Sequence, residues 1–286
     1  MTEKGLTAAR FGPPSSRSRV RRADKALVVA SAVCLALVVL AMIGPWLAPY
    51  SPSAITPNAN QGFSSQHLLG TDTLGRDILS RLLVATRLSL LGPALVVLTS
   101  TTLGTALAIA SAWFGGWFDR IVSRVVAVLF AFPSMLFAVL AVAVFGQGLI
   151  APVIALSIAY IPYFARIGRT VALRERYLPY IEACKLSGFS GWRICLWHIL
   201  PNMASIVRAQ ATIGFGSALV DIAAISFLGL GVQPPSAEWG LMVSSGRSAL
   251  LAGSPQESLS AGVMIIIAVV AFNVLGERMA KRSEER

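Results

Sequence analysis

The chain has 286 residues, 55% of them hydrophobic and only 13% charged, with a mean hydropathy of +0.71. A soluble domain carries about 25% charged residues, so this composition, with its apolar residues clustered into runs, excludes an ordinary soluble enzyme and points to a multi-span membrane protein. The 24 Lys and Arg against 13 Asp and Glu give a net charge of +11, which in a membrane chain reads as loop charge that sets orientation rather than as a nucleic-acid surface.

Residues 1–25 are polar, rich in Arg, Ser and Gly, and end in the basic run RSRVRRADK. Most of this tail is expected to be disordered away from the membrane. The apolar run that follows, ALVVASAVCLALVVLAMIGPWLA, is far longer than the ~7–15-residue core of a signal peptide and reads as an uncleaved first span. A hydrocarbon core takes roughly 20 apolar residues of helix to cross, and such runs fall at about 26–48, 88–113, 123–145, 149–165, 207–230 and 259–277. The fourth is short and contains Pro152 and Pro162. Between the first two, PYSPSAITPNANQGF reads as an irregular loop. The spacing of Ile78, Leu79, Leu82 and Leu83 then predicts an amphipathic helix leading into the second span. VQPPSAEWG, at 232–240, is a second irregular segment. The organisation is therefore a tail (1–25), a first helix with its outer segment (26–87), a core with five spans (88–277) that includes a polar elbow at about 166–206, and a second tail (278–286).

Of the 24 Lys and Arg, only Arg76, Arg81, Arg87 and Arg247 fall on the side opposite the termini. By the positive-inside rule both termini and the elbow are cytoplasmic, and segments 49–87 and 231–258 face out. Small residues crowd TSTTLGTALAIASA and IGFGSALVDIAAISFLGLG, which suits close helix packing, within this chain or against a second one. Asp221 is the one acid placed inside a span. Three readings stay open for it: it lines a substrate path, it pairs with a neighbouring chain, or it sits protonated in helix packing. The three cysteines, Cys34, Cys184 and Cys195, include no CxxC, and the two histidines are far apart, so neither a disulfide framework nor a metal site is expected.

The elbow, YIEACKLSGFSGWRICLWHILPN (180–202), reads as two short helices hinged at a glycine. Pro179 suits a first helical turn, Gly188 a C-terminal stop, Ser190 a cap for the next helix, and Pro201 either ends the run or opens the fifth span. Physics alone leaves two uses for it: packing against lipid headgroups, or docking a cytoplasmic partner.

Glu182-Ala183, then Gly188, then Leu200-Pro201 resembles the EAA motif of bacterial ABC importer permeases, usually written EAA-x3-G-x9-I-x-L-P. Cys184 replaces the second Ala and His198 stands at the Ile position. HLLGTDTLGRDILSRLLVATRLSL (67–90), WFGGWFDRIVSRVVAVLFAFPSMLFAV (113–139) and ISFLGLGVQPPSAEWGLMV (225–243) are similar to segments of the dipeptide/oligopeptide/nickel branch, in the dipeptide permease C-like subunit type with a long first outer segment.

The resemblance implies an all-α membrane protein with six transmembrane helices, the type I ABC importer permease fold, and a cytoplasmic coupling helix. It implies a bacterial cytoplasmic-membrane location and no catalysis by this chain, which also lacks a GxxxxGK[ST] phosphate loop. No cofactor is expected on it; ATP and Mg would sit on partner subunits. The implied partners are a homologous second permease in a heterodimer, two cytoplasmic ATP-binding subunits or domains, an extracytoplasmic solute-binding protein and the lipid bilayer. Glu182, Ala183, Cys184, Lys185, Gly188 and Arg193 are the expected ATPase-coupling residues. Ser134, Phe137, Ser217 and Asp221 are candidates for the translocation pathway, and Asp72, Arg76, Asp77, Glu238 and Trp239 for extracytoplasmic contacts. Asp72 and Asp77 are also read as helix caps. The implied cargo is di- or oligopeptides, or alternatively nickel chelate, glutathione or haem. An ion-coupled carrier would show several buried charges and inverted repeats, and a membrane enzyme would show paired catalytic groups; neither pattern is found in the sequence.

Overall fold

A computed structural model describes residues 16–284, with side chains from Lys25 to Arg282. The expectation of disorder for residues 1–15 lies outside the described residues. Those described form helices and connecting turns: α1 Ser16–Leu47, α2 Ile78–Phe114, α3 Gly116–Phe130, α4 Ser134–Phe145, α5 Ile150–Arg176, α6 Pro179–Leu186, α7 Gly191–Ile194, α8 Leu200–Phe227, α9 Trp239–Ser245, α10 Arg247–Leu251 and α11 Gln256–Glu284. Among the described residues five helices are long and apolar enough to cross a membrane, and six if the bent pair α3–α4 is one span.

Three boundaries differ from the sequence reading. The amphipathic helix and the second span are a single 37-residue helix, α2, because Asp77 caps its N-terminus and nothing interrupts it before Gly115. The third span is broken, with α3 and α4 meeting at 80°, since Pro133 is extended and disfavours helical backbone at Phe132 before it. The fourth span continues past residue 165 to Arg176. Hydropathy marks where a helix leaves apolar surroundings, whereas arginines and alanines propagate it further.

The most extensive contact is between α2 and α5. It rests on small residues set reciprocally across the crossing. A Cβ on Gly104 of α2 would lie 2.6 Å from the Phe164 Cβ and 2.9 Å from the Ile161 carbonyl oxygen, and one on Gly168 of α5 would lie 2.9 Å from the Ala108 Cβ. Arg169 of α5 also grips Asp119 of α3 through two charge-assisted bonds of 2.5 and 2.6 Å. Three apolar clusters are strung along α2. Ile78, Leu82 and Leu90 pack with Leu219, Trp239 and Met242. Val96 and Val97 pack with Leu156, Phe164 and Ile222. Ile109 and Ala112 pack with Ala172, Ile181, Ile194 and Met203. α1 packs on the edge of this core through the stripe Ala30, Cys34, Leu37 and Gly44, with Leu37 joining the first cluster; its exposed surface is mainly apolar and suits lipid.

Gly104→Val should force the α2–α5 crossing apart at a cost of about 1–3 kcal/mol. The expected result is a lower thermal unfolding midpoint of the detergent-purified protein, with Gly262→Ala, where an added Cβ meets nothing within 4 Å, as the neutral control.

Candidate functional site

The elbow begins where α5 ends. Leu178 is extended (φ −74°, ψ 144°) and Pro179 occupies the first turn of α6. That helix stops at Gly188, whose φ of +79° suits glycine. The Phe189 N–H donates to the Cys184 carbonyl at 3.1 Å and the Gly188 N–H to the Lys185 carbonyl at 3.0 Å, the paired bonds of a Schellman stop. Ser190 holds the N-cap position of α7, but its side chain makes no capping bond. Gly191 is instead pressed against Trp113, and a Cβ there would be 2.7 Å from the ring.

Pro201 does not end the second elbow helix. It has no N–H to return to Trp197, and the backbone widens into a π turn over Cys195–Ile199, where the Leu200 N–H reaches the Cys195 carbonyl. The amphipathic helix and the fifth span are therefore one continuous helix, Gly191–Phe227.

The inner face of the elbow is fully apolar: Ile181, Ile194 and Ile199 are buried. The outer face carries Glu182, Ala183, Lys185, Gly188 and Arg193, all exposed, with Cys184 half-buried. Leu186 is 91% exposed and Trp192 75%, a large apolar surface for a tip lying outside the predicted spans. Lys185 lies 5.4 Å from the Trp113 ring centre and Arg193 4.8 Å from that of Phe189. The base is tied by side chains that the motif does not mark. The Tyr180 hydroxyl donates to Glu175 Oε2 at 2.8 Å and accepts from Asn202 Nδ2 at 2.8 Å. Burial, and then the bond to Glu175, push the Tyr180 hydroxyl up to about 12. Polar residues at both ends of an otherwise amphipathic segment were the available signal for this tie.

A second cluster lies in the span region. Asp221 Oδ2 accepts from Ser134 Oγ at 2.9 Å and from the Tyr160 hydroxyl at 3.1 Å. Ser217, one turn before Asp221, lines two cavities, one with Ser134 and Tyr160 and one with Asp221. Phe137 stands apart: its ring meets Phe132 edge-on at 6.0 Å and it lines a different, apolar cavity with Leu140 and Ile154.

At the opposite end from the elbow, the structure places the five expected contact residues inside the fold: Asp72, Arg76, Asp77, Glu238 and Trp239 are all buried. The physical reason is that each finds a partner within the chain. Asp72 accepts from the backbone of Leu74 and Arg76 at 2.9 Å and from Arg76 Nε at 2.6 Å. Asp77 caps α2 through Ser80 at 2.7 Å and pairs with His67 Nδ1 at 2.9 Å. Glu238 caps α9, accepting from the Gly240 and Leu241 N–H groups at 2.9 Å. The Trp239 N–H donates to Ser89 Oγ at 2.9 Å. Burial holds the Glu238 carboxyl above the usual range despite these donors. Among the described residues, no three of His, Cys, Asp or Glu gather where they could share a metal ion.

The family model described as "Binding-protein-dependent transport system inner membrane component" matches residues 100–286, and that of the "N-terminal TM domain of oligopeptide transport permease C" matches residues 19–68. The chain belongs to this family of inner-membrane transport permeases. The permease is 39% identical over 252 residues to the glutathione transport system permease protein GsiD of Pectobacterium atrosepticum, covering 87% of this chain and 83% of that one. It is equally 39% identical over 263 residues to GsiD of Escherichia coli, covering 91% and 86%. Among solved structures, a chain of the MetNI methionine ABC transporter in an inward-facing crystal form matches with a TM-score of 0.56 at 18% identity, over 71% of this chain and 96% of that one. That likeness supports the type of fold. The protein is thus a multi-pass inner-membrane permease of a peptide-type ABC importer, a family whose members are transport components and not themselves catalytic.

Two outcomes are expected from these contacts. Tyr180→Phe removes the tie between α6 and the ends of α5 and α8, so amide hydrogen exchange in residues 179–188 should speed up several-fold while exchange in α2 stays unchanged. For Glu238, the raised carboxyl means that the folded state binds the proton more tightly than the unfolded chain. Its stabilisation is present below the ordinary Glu value of about 4.3 and is lost as pH rises through the raised value. The wild-type unfolding midpoint should therefore fall across that window, and Glu238→Gln should flatten the fall.

Proposed function

We propose that this permease forms one half of the transmembrane pathway of an ATP-driven importer for small peptidic cargo, with glutathione the first candidate. The observation that carries the reading is the elbow: an exposed, motif-bearing tip whose buried face is built onto the ends of α2, α5 and α8. The relatives named as glutathione transport permeases favour glutathione, the alternative cargo, over the broader reading of di- and oligopeptides. Glutathione is itself a tripeptide, so the two differ in breadth rather than in kind.

In this reading both termini and the elbow are cytoplasmic. The second half of the pathway is a homologous permease, and a solute-binding protein delivers cargo from outside. ATP and Mg belong to two cytoplasmic ATP-binding subunits or domains, each seated on one elbow. Gly188 lets the tip turn, Ala183 allows close approach and Glu182 offers a charge-assisted hydrogen bond, with Cys184, Lys185 and Arg193 flanking the contact. Closure of the ATP-binding subunits carries the elbows with them, and the spans rock as rigid elements so that the pathway opens alternately to either side. ATP drives this only to the extent that its subunits bind one state better than the other.

The test is uptake of labelled glutathione and labelled alanyl-alanine into vesicles that contain the four membrane-associated subunits and the binding protein. ATP-dependent glutathione uptake is expected, falling more than about tenfold in Glu182→Arg and Gly188→Pro complexes that still assemble. Uptake of neither compound by the wild type would overturn the cargo class, and elbow variants that transport normally would overturn the coupling role.

A further inference from the structure

Asp221 lies within α8, inside the span Gly191–Phe227, and its carboxylate is met by side chains of two other helices. A carboxylate at membrane depth is costly and is kept where it faces a polar interior or a partner. Here Ser134 at the break of the third span and Tyr160 on α5 both donate to the same oxygen, Oδ2. They fix the carboxylate but do not neutralise it. Among the described residues Oδ1 has no hydrogen-bond partner, and no Lys, Arg or His pairs with Asp221.

The space around it is shaped for a cation. On one side is a cavity of about 310 Å³ walled by the rings of Phe130, Phe132, Tyr160 and Tyr163 and floored by Gly214 and Ser217. On the other is one of about 250 Å³, lined by Ser217, Asp221 and Asn273. Ser217 borders both, so the cavities adjoin across α8. Aromatic faces attract cations, most strongly where water is scarce. Asp221 lines the second cavity with Asn273 and reaches the aromatic one through Ser134 and Tyr160, which line that cavity and donate to the carboxylate. An aromatic cavity followed by a carboxylate with neutral acceptors beside it suits a primary ammonium, which has three N–H donors and one charge. The lining residues are drawn from α3, α4, α5, α8 and α11 and from the turn at Phe132.

We infer that Asp221, oriented by Ser134 and Tyr160, is a transit site for the ammonium group of the cargo. The inference rests on the importer reading above and adds the chemical class that the pathway recognises: an amine-bearing solute.

The test uses the assembled transporter in detergent and a dipeptide probe, alanyl-photoleucine, whose diazirine labels what it touches. Its N-acetylated twin lacks the ammonium. Both are added at equal concentration without the binding protein, so that the membrane subunits alone select. The free-amine probe should label the wall around Tyr160, Ser217 and Asp221. The acetylated probe should label it about tenfold less, and Asp221→Asn should lower labelling by the free amine by about the same factor, the loss of roughly one charge-assisted contact. Asp221→Glu should restore it. Equal labelling by the two probes, or undiminished labelling of Asp221→Asn, overturns the site. So does dissociation of the two permeases in Asp221→Asn, which would assign the carboxylate to a cation of the neighbouring subunit. Parallel vesicle uptake separates the two readings. Uptake with an unlabelled wall overturns this inference alone, whereas a complex that takes up neither probe nor glutathione overturns the importer reading and this one with it.

Discussion

Everything in this chain hangs on the close crossing of α2 and α5. In lipid there is little hydrophobic force to bring two apolar helices together, so association depends on van der Waals packing between surfaces that fit. Gly104 and Gly168 provide that fit, each receiving a side chain from the opposite helix, Phe164 on one and Ala108 on the other. Because α2 runs the full length of the fold, the crossing fixes both of its ends. The N-terminal end carries Arg81 and Ser89, with the capping Asp77, into the buried polar cap, and the C-terminal end carries Trp113 under the elbow.

The elbow inherits its stiffness from that arrangement. It is not a loop laid on the membrane: one arm is continuous with α8 through the π turn at Cys195–Ile199, and the other follows α5 after only a short turn. Its buried isoleucines and the Glu175–Tyr180–Asn202 bonds close the base. The tip is therefore joined mechanically to two spans at once. At the end opposite the elbow, the charges of Asp72, Arg76 and Arg81 interlock. Between the two ends the third span is bent by 80°, and Ser134 beside the bend donates to Asp221.

Much of this was legible in the sequence, and the limits have physical causes. Apolar runs found every span because lipid demands them. Pro179 and Gly188 marked the ends of α6 because their backbone chemistry is local. Asp77 was readable as a cap for the same reason. What failed to show was long-range pairing. Glu238 meets Ser89 across 149 residues, and Asp72 is held by Arg76 and Arg81, so the charges singled out for outside contacts are buried within this chain. Ser134 and Asp221 were each singled out for residue type alone, and folding brought them within 2.9 Å. Phe137 was singled out in the same way and lies against another wall. The bend at Pro133 was masked because a hydropathy window averages across a proline.

The central claim is that the tip of the elbow seats in an ATP-binding subunit, and Leu186, 91% exposed at that tip, is the place to test it. A benzophenone amino acid at position 186 in the assembled transporter, irradiated and resolved by mass spectrometry, reports directly what the tip touches. The account predicts a crosslink to the ATP-binding subunit. A crosslink to lipid or to the binding protein alone would contradict it.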